Sequence, residues 1–398
     1  MMIKQFSPWP SYSVEEIDCV KDVLASNKVN YWTGDQCRKF EKEFAAWSDS
    51  EYAVSLANGT LALDIAIKAL GIGDGDEVIV TSRSYIASIT SIINAKATPV
   101  FVDVDPSTQN ITPKNINAAI NKNTKAIMCV HLAGWPCDMD EIKSIASDND
   151  LFIIEDCAQA HGAKYRGKPV GSIGDIGCWS FCQDKIMTTG GEGGMVTTNN
   201  KSLWLKMWEY KDHGKSYEAV YNKKHPEGFR WIHESFGTNW RMTEMQGAIG
   251  RIQLNKMAEW TKTRNGNAKI LTEKFSKFTE KDGIIRIPQL RNEEGFIHAF
   301  YKYYVFVQEK NLKNNWTRDR IISEISSKGA PCMHGSCSEV YLEKAFDNTN
   351  FRPDERLPVA KQLGETSIVF LVHPTLNKQE MYDIAEIATS VFDKAGVK

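Results

Sequence analysis

No stretch of the 398 residues approaches the run of about 18 apolar residues that a membrane-spanning helix requires. There is no basic excess either. Lys plus Arg number 48 against 50 for Asp plus Glu, a formal net charge of −2, and no Arg/Lys block occurs. Proteins that grip nucleic-acid phosphates carry a positive surplus, so neither nucleic acid nor membrane is an expected partner. The N-terminus, Met1 through Pro10, lacks the apolar core and small-residue cleavage site of a signal peptide, and a cytoplasmic location is expected. Cysteines are present but unpatterned: the nine, at 19, 37, 129, 137, 157, 178, 182, 332 and 337, are odd in number and lie mostly in apolar runs, as reduced core thiols do. Cys332, His334 and Cys337 have the only metal-like spacing, and with no fourth ligand nearby no metal is expected.

The composition is that of a folded enzyme, 42% apolar and 25% charged, and the length suits two or three domains. Candidate strands fall at 52–56, 77–81, 99–103, 125–130, 151–155, 177–181 and 194–198, most of them separated by helical stretches. Ser13 and Glu16 form a capping-box signature for a helix reaching about Ser26. Runs such as Leu151-Phe152-Ile153-Ile154 are those of a strand covered on both faces, so the reading is an α/β fold with a mostly parallel sheet. After a helix-rich stretch ending near Arg264 the texture changes to aromatic and β-branched, then helical again. This predicts a large domain over 1–260 and a smaller C-terminal α+β domain over 261–398. The stretch 208–236 has no clean period and reads as a functional loop.

Four clusters carry candidate chemistry. Asn58-Gly59-Thr60-Leu61 follows a strand and opens an apolar-periodic helix, where free backbone N–H groups could hold a phosphate with help from the Thr60 hydroxyl. Alone, it is more often a plain helix cap. Asp156 ends the most apolar strand, placed to hold a cationic ring nitrogen, with Gln159 reaching a neighbouring oxygen; a helix N-cap by Asp156 explains it equally well. Lys185 follows the buried run ending at Phe181 and precedes Gly190-Gly191-Glu192-Gly193-Gly194, a tight corner in which an amine becomes a Schiff-base nucleophile. The fourth, Phe236 through Gln246, is a polar loop entering an amphipathic helix that continues to about Lys256.

Together, a phosphate cradle, an aspartate for a pyridinium nitrogen and a desolvated lysine are the handles needed for pyridoxal 5'-phosphate. The order of motifs resembles the DegT/DnrJ/EryC1/StrS sugar aminotransferases, which have the aspartate-aminotransferase-like fold type I. The resemblance spans Gly34 to Glu41, the phosphate turn, Pro99 to Asp105, Glu155-Asp156 with Gln159 to Ala163, and Ser180-Phe181 with Lys185 and Gly191 to Gly194. It ends with Asn239-Trp240-Arg241-Met242. It implies that Lys185 is the Schiff-base residue and that Asp156 binds the pyridine nitrogen. Gln159 lies near the phenolic oxygen, Gly59, Thr60, Leu61 and Ser180 hold the phosphate, and Tyr85 stacks on the ring. Asn239 matches a residue that reaches the phosphate of the other subunit, which implies a homodimer with shared sites.

The resemblance further implies transamination in two half-reactions, with L-glutamate as donor and a keto sugar as acceptor. His131 to Asp140 and the long segment 210–234 resemble the 8-amino-3,8-dideoxy-manno-octulosonate aminotransferases, which act on the free 8-oxo sugar acid on the way to 8-amino-Kdo in lipopolysaccharide. A carboxylate substrate gives Arg83, Lys215 or Arg230 a purpose, with His161 as a further candidate on the substrate side. Arg83 equally suits a structural ion pair or the carboxylate of glutamate. A nucleotide-linked 4-keto-6-deoxyhexose is the alternative acceptor, and a non-catalytic cofactor-binding regulator the alternative from another class.

Overall fold

The computed structural model describes residues 5–280, 282–291 and 293–397, so Met1 to Lys4 of the N-terminal reading lie outside the described residues. The first helix, α1 (Val14–Ala25), is capped as the sequence predicts, with the Ser13 and Glu16 side chains engaging each other's backbone. Next come α2 (Gln36–Trp47), β1 (Tyr52–Leu56), α3 (Gly59–Ala69), β2 (Glu77–Thr81), α4 (Ala87–Asn94), β3 (Thr98–Val102), β4 (Thr124–Val130) and β5 (Phe152–Asp156). The two-residue strands β6 (Lys164–Tyr165) and β7 (Lys168–Pro169) form a hairpin of their own, followed by β8 (Ile176–Ser180) and β9 (Gly194–Thr198).

Seven strands make the main sheet in the order β1-β9-β8-β5-β4-β2-β3. The pairs from β8 through β5, β4 and β2 to β3 are parallel, and β9 runs antiparallel to both its neighbours. This is the α/β, mostly parallel architecture expected from the apolar runs. Strands β8 and β9 are buried at every position, because helices cover both faces. Four strands start one residue away from their sequence-based bounds, and the shift makes Asp156 and Ser180 the last residues of adjacent parallel strands β5 and β8. Ligands of open α/β sheets bind at this end of the strands.

The helix opened by Glu244 runs unbroken to Phe275, well past Lys256 and Arg264 where the sequence suggested its end. Asn265-Gly266-Asn267 is a poor helix-forming run, and tertiary contacts hold it. Asn267 Nδ2 reaches the carbonyls of Val372, His373 and Leu376, and Asn265 Nδ2 those of Thr261 and His298. The N-terminal half packs against α2, where Gly250 leaves room for the Phe40 ring. Its last turns, through Ala268, Leu271 and Phe275, belong to the core of a second sheet. That sheet is antiparallel, β10 (Ile285–Arg286), β11 (Tyr303–Val307), β12 (Cys332–Met333) and β13 (Ser367–Phe370), in the order β10-β11-β13-β12. The helix Lys378–Ala395 seals its other side. Within 208–236, read as a loop, residues 208–210 close the helix Lys201–Tyr210, Lys211 and Asp212 are buried, and a short helix Tyr217–Tyr221 is capped by Ser216, while most of 221–236 is exposed. Among the described residues no helix is long and apolar enough to cross a membrane.

Candidate active site

A cavity of about 570 Å³ opens at the ends of β5 and β8 and the start of α3. Gly59, Thr60, Leu61, Tyr85, Asp156, Gln159, Ser180 and Lys185 all line it. The sequence had placed these on four separate segments, and the sheet brings them to one place.

Asn58 caps α3, its Oδ1 accepting the Leu61 N–H at 3.0 Å. The amide of Leu61, counted as a phosphate donor from the sequence, is therefore already engaged, and only the N–H groups of Gly59 and Thr60 remain for an anion at this helix start. Gly59 is fixed by sterics, because a Cβ there would stand 2.4 Å from Ser180 Cβ. The absent side chain is what lets the helix start and the Ser180 hydroxyl share one concave corner.

Asp156 is buried, and no helix follows it, so it is not an N-cap. Its Oδ2 accepts from Ser88 Oγ at 2.8 Å and its Oδ1 from the Ala158 N–H at 3.1 Å. Both donors are neutral, and no cation lies within ion-pair distance among the described residues. Burial pushes its pKa up, only partly opposed by those hydrogen bonds and by the charge of Lys185. A buried carboxylate facing a cavity without a counter-ion fits a protonated pyridine nitrogen, and this is the observation that matches the site to pyridoxal phosphate. Gln159 gives its Oε1 to the Ala133 N–H at 2.8 Å, leaving its amide nitrogen to the cavity. Tyr85 is 69% exposed at the rim, an aromatic face with nothing yet stacked on it.

Lys185 sits in a mostly dry corner, its side chain 15% exposed. Its carbonyl accepts the Trp9 indole N–H at 2.8 Å, so the N-terminal arm braces the lysine loop. Gly190 and Gly191 take positive φ, which turns the chain back into β9. Lys185 Nζ lies 3.8 Å from Asp184 Oδ1 and 5.2 Å from the centroid of the Tyr301 ring. The Tyr301 hydroxyl donates to Asp184 Oδ2. Sequence reasoning missed Ser88, Asp184, Tyr301 and Lys302. The only signal was the carboxylate next to Lys185, since Tyr301 and Lys302 arrive from the lead-in to the second sheet.

The substrate candidates are placed differently from expectation. Arg83 is wholly buried, its Nε and Nη2 donating to Gln109 Oε1 at 3.0 and 2.9 Å and its Nη1 to Ser338 Oγ at 2.7 Å. It clamps two loops and lines no cavity wall near Lys185. His161 is also buried, its ring packed on Trp179 and Phe181 with neither nitrogen hydrogen-bonded among the described residues. Burial, followed by the charges of Lys185 and Arg264, lowers its pKa to about 3, so it is a neutral core ring rather than a substrate ligand. Lys215 is committed to Asp212 at 2.9 Å, in a hub that also holds Arg241 and the Trp32 indole. Arg230 and Asn239 are exposed and lie outside the cavity of their own chain.

The closest metal-like group among the described residues is His131, Glu155 and Cys157. The ligand atoms of His131 and Glu155 are occupied: His131 Nε2 pairs with Glu155 at 3.0 Å, His131 Nδ1 accepts the Cys137 N–H, and Glu155 also accepts from Gly171, Ile173 and Gly174.

A sequence profile described as the DegT/DnrJ/EryC1/StrS aminotransferase family matches residues 10–389. A GDP-perosamine synthase of Escherichia coli O157:H7 is 35% identical over 382 residues, 95% of each chain. A UDP-N-acetyl-3-dehydro-alpha-D-glucosamine 3-aminotransferase of Acidithiobacillus ferrooxidans is 34% identical over 363 residues, 91% of this chain and 89% of that one. The X-ray structure of an aminotransferase from Psychrobacter cryohalolentis superposes with a TM-score of 0.96 at 61% identity, covering 98% of this chain and 99% of that one.

Proposed function

The chain belongs to the DegT/DnrJ/EryC1/StrS aminotransferase family, and from that premise we propose that it transfers an amino group from L-glutamate to a keto sugar acid. It is a pyridoxal-phosphate-dependent aminotransferase. The carrying observation is the counter-ion-free carboxylate of Asp156 in the same cavity as Lys185. When bound, the cofactor supplies an electron sink for a carbanion. The Asp156 carboxylate would hold the ring nitrogen in its protonated form by its negative charge in a water-poor site. Lys185 Nζ, beside the bound donor, would serve as the base that takes the proton from its α-carbon and as the acid that returns one, and the same group would act in reverse on the acceptor. Gly59, Thr60 and Ser180 would hold the phosphate, Tyr85 would offer an aromatic face to the ring, and the Gln159 amide nitrogen would offer a donor to its oxygen.

The preferred acceptor is 3,8-dideoxy-8-oxo-manno-octulosonate, giving 8-amino-Kdo for lipopolysaccharide. Support comes from the resemblance of 131–140 and 210–234 to enzymes acting on that acid, and from an ammonium, Lys302, that has no carboxylate within ion-pair distance among the described residues and lines a pocket with Lys185. A nucleotide-linked keto sugar is the second reading, favoured by the nucleotide sugars in the names of the relatives above. A homodimer with shared sites accords with the exposed loop aromatics Phe229, Trp231 and Phe236, which a second copy would cover. Nine free cysteines accord with the cytoplasm. Adding L-glutamate to the holoenzyme should convert the absorbance of the lysine-bound cofactor into that of pyridoxamine phosphate, and the 8-oxo acid should restore it. Restoration by a nucleotide-linked 4-keto sugar alone would defeat the preferred acceptor.

A further inference from the structure

The segment that leads into β11 lies against the loop after β4. Ala299 N–H donates to Gly134 O and Tyr301 N–H to Ala133 O, both at 2.9 Å. The approach is close enough that a Cβ on Gly134, whose φ is +93°, would stand 2.8 Å from Ala299 Cβ. This docking fixes Tyr301 and Lys302 beside the lysine loop. The Lys302 ammonium is 5.1 Å from the centroid of the Tyr301 ring and the Lys185 ammonium 5.2 Å from it. Both cations therefore lie close to one aromatic ring.

Lys302 has no carboxylate within ion-pair distance among the described residues, although it is half-buried. An ammonium taken from water without a counter-ion is costly to keep charged. Burial lowers its pKa, opposed by the charge of Asp184 and reinforced by those of Lys185 and Arg264. Its position is a junction. It lines a pocket of about 250 Å³ together with Tyr85, Gln159 and Lys185, and also a neighbouring one of about 710 Å³. Trp135, on the wall of the larger pocket, has a buried indole N–H with no acceptor among the described residues. Arg83, the guanidinium the sequence nominated for a carboxylate, is used up by Gln109 and Ser338.

We propose that Lys302 is the anchor for the carboxylate of the keto acceptor, in the pocket it shares with Lys185. The inference rests on the sugar-acid reading above and adds the residue that selects for it. An acid whose carboxylate lies several bonds from its reacting carbonyl can span the two ammonium groups. A neutral sugar ring would leave Lys302 buried and unpaired.

The test uses enzyme carrying pyridoxamine phosphate, titrated calorimetrically with 3-deoxy-manno-octulosonate, which lacks the 8-oxo group, and with its C1 carboxamide. A charge-assisted contact predicts that the native enzyme prefers the acid by at least about tenfold. Lys302→Met should bind acid and amide alike, and Lys302→Arg should recover part of the preference, which also shows that the site still folds. A preference retained by Lys302→Met would overturn the inference while leaving the sugar-acid reading intact. No preference in the native enzyme would sink that reading and the inference with it. If Lys302→Met weakened the half-reaction with L-glutamate as strongly as it weakened acid binding, the lysine would belong to the donor's carboxylate and the acceptor assignment would fall.

Discussion

The Tyr301 hydroxyl donates to Asp184 Oδ2 while the face of the same ring lies 5.2 Å from Lys185 Nζ. One side chain from the lead-in to the second sheet thus touches both the active lysine and the carboxylate next to it. The connection closes a circuit. Gln159 Oε1 holds the Ala133 N–H, Ala133 O holds the Tyr301 N–H, and Tyr301 holds Asp184. Burial pushes Asp184 up, but Lys185 and the Tyr301 hydroxyl outweigh it and its pKa is lowered. The cofactor-side glutamine and the lysine loop are therefore positioned by the same short segment, which is a physical reason for the site to respond as a unit.

Asp156→Asn separates catalysis from stability. The pKa of Asp156 is raised in the fold, so the folded state binds its proton more readily than the unfolded chain, and at neutral pH the bare carboxylate is a net cost. The amide should leave the cofactor-free protein at least as resistant to urea, yet lower turnover by at least about a hundredfold, because a neutral partner does not keep the ring nitrogen protonated. Near-native rates would mean that Asp156 serves only Ser88 and the Ala158 turn.

His161→Phe bears on acid lability. His161, His298 and His373 all have pKa values lowered to about 3 by burial. Between the ordinary histidine value of about 6.5 and 3 the unfolded chain binds protons that the fold does not, so stability falls as pH drops through that window, by about 1.4 kcal/mol per pH unit for each ring. Phenylalanine at 161 keeps the packing on Trp179 and Phe181 and removes one titrating ring. Urea unfolding should show a shallower loss between pH 6.5 and 5, with little change at pH 7.5. A loss of several kcal/mol at pH 7.5 would mean that the ring makes a hydrogen bond.

Arg83→Ala should cost at least about 2 kcal/mol, since Gln109 Oε1 and Ser338 Oγ lose their charged donor inside the protein. Its preference for an acid over the matching amide should match the native enzyme. Urea midpoints together with the ligand titration check both halves, and a stable variant lacking the preference would return Arg83 to the substrate.

Which residues were legible follows from how each is placed. Thr60, Asp156, Ser180 and Lys185 sit at or just after strand ends, where local apolar pattern and turn residues announce the position. The sheet then carries them together without further information. Tyr301 and Lys302 were not legible because their place depends on Gly134 accepting Ala299 against its backbone, a contact between segments more than 160 residues apart. The burial of Arg83 depends likewise on Ser338, 255 residues away. The long helix outran its local propensity at Asn265-Gly266-Asn267 because distant carbonyls stabilise it there.

The shared site is the most direct test of the proposed dimer. Asn239 is exposed, bridges to Asp212 through its backbone and stays outside the cavity of its own chain. If it completes the phosphate site of a partner, Asn239→Ala should weaken cofactor retention without disturbing the internal packing of its own subunit. Mixed dimers sharpen the argument. One subunit carries Lys185→Ala and the other Asn239→Ala, so one of the two sites receives both lesions and the other receives neither. Each homodimer should be nearly inactive, the first for want of the nucleophile and the second for want of a phosphate ligand. Mixed dimers isolated by two different affinity tags should then show about half the native activity per dimer, from one intact site. The same mixing performed with Asp156→Asn and Lys185→Ala should give no recovery, because both residues line one cavity of one chain and each site would carry one lesion. Equal failure of both pairs in verified mixed dimers would assign Asn239 to its own subunit.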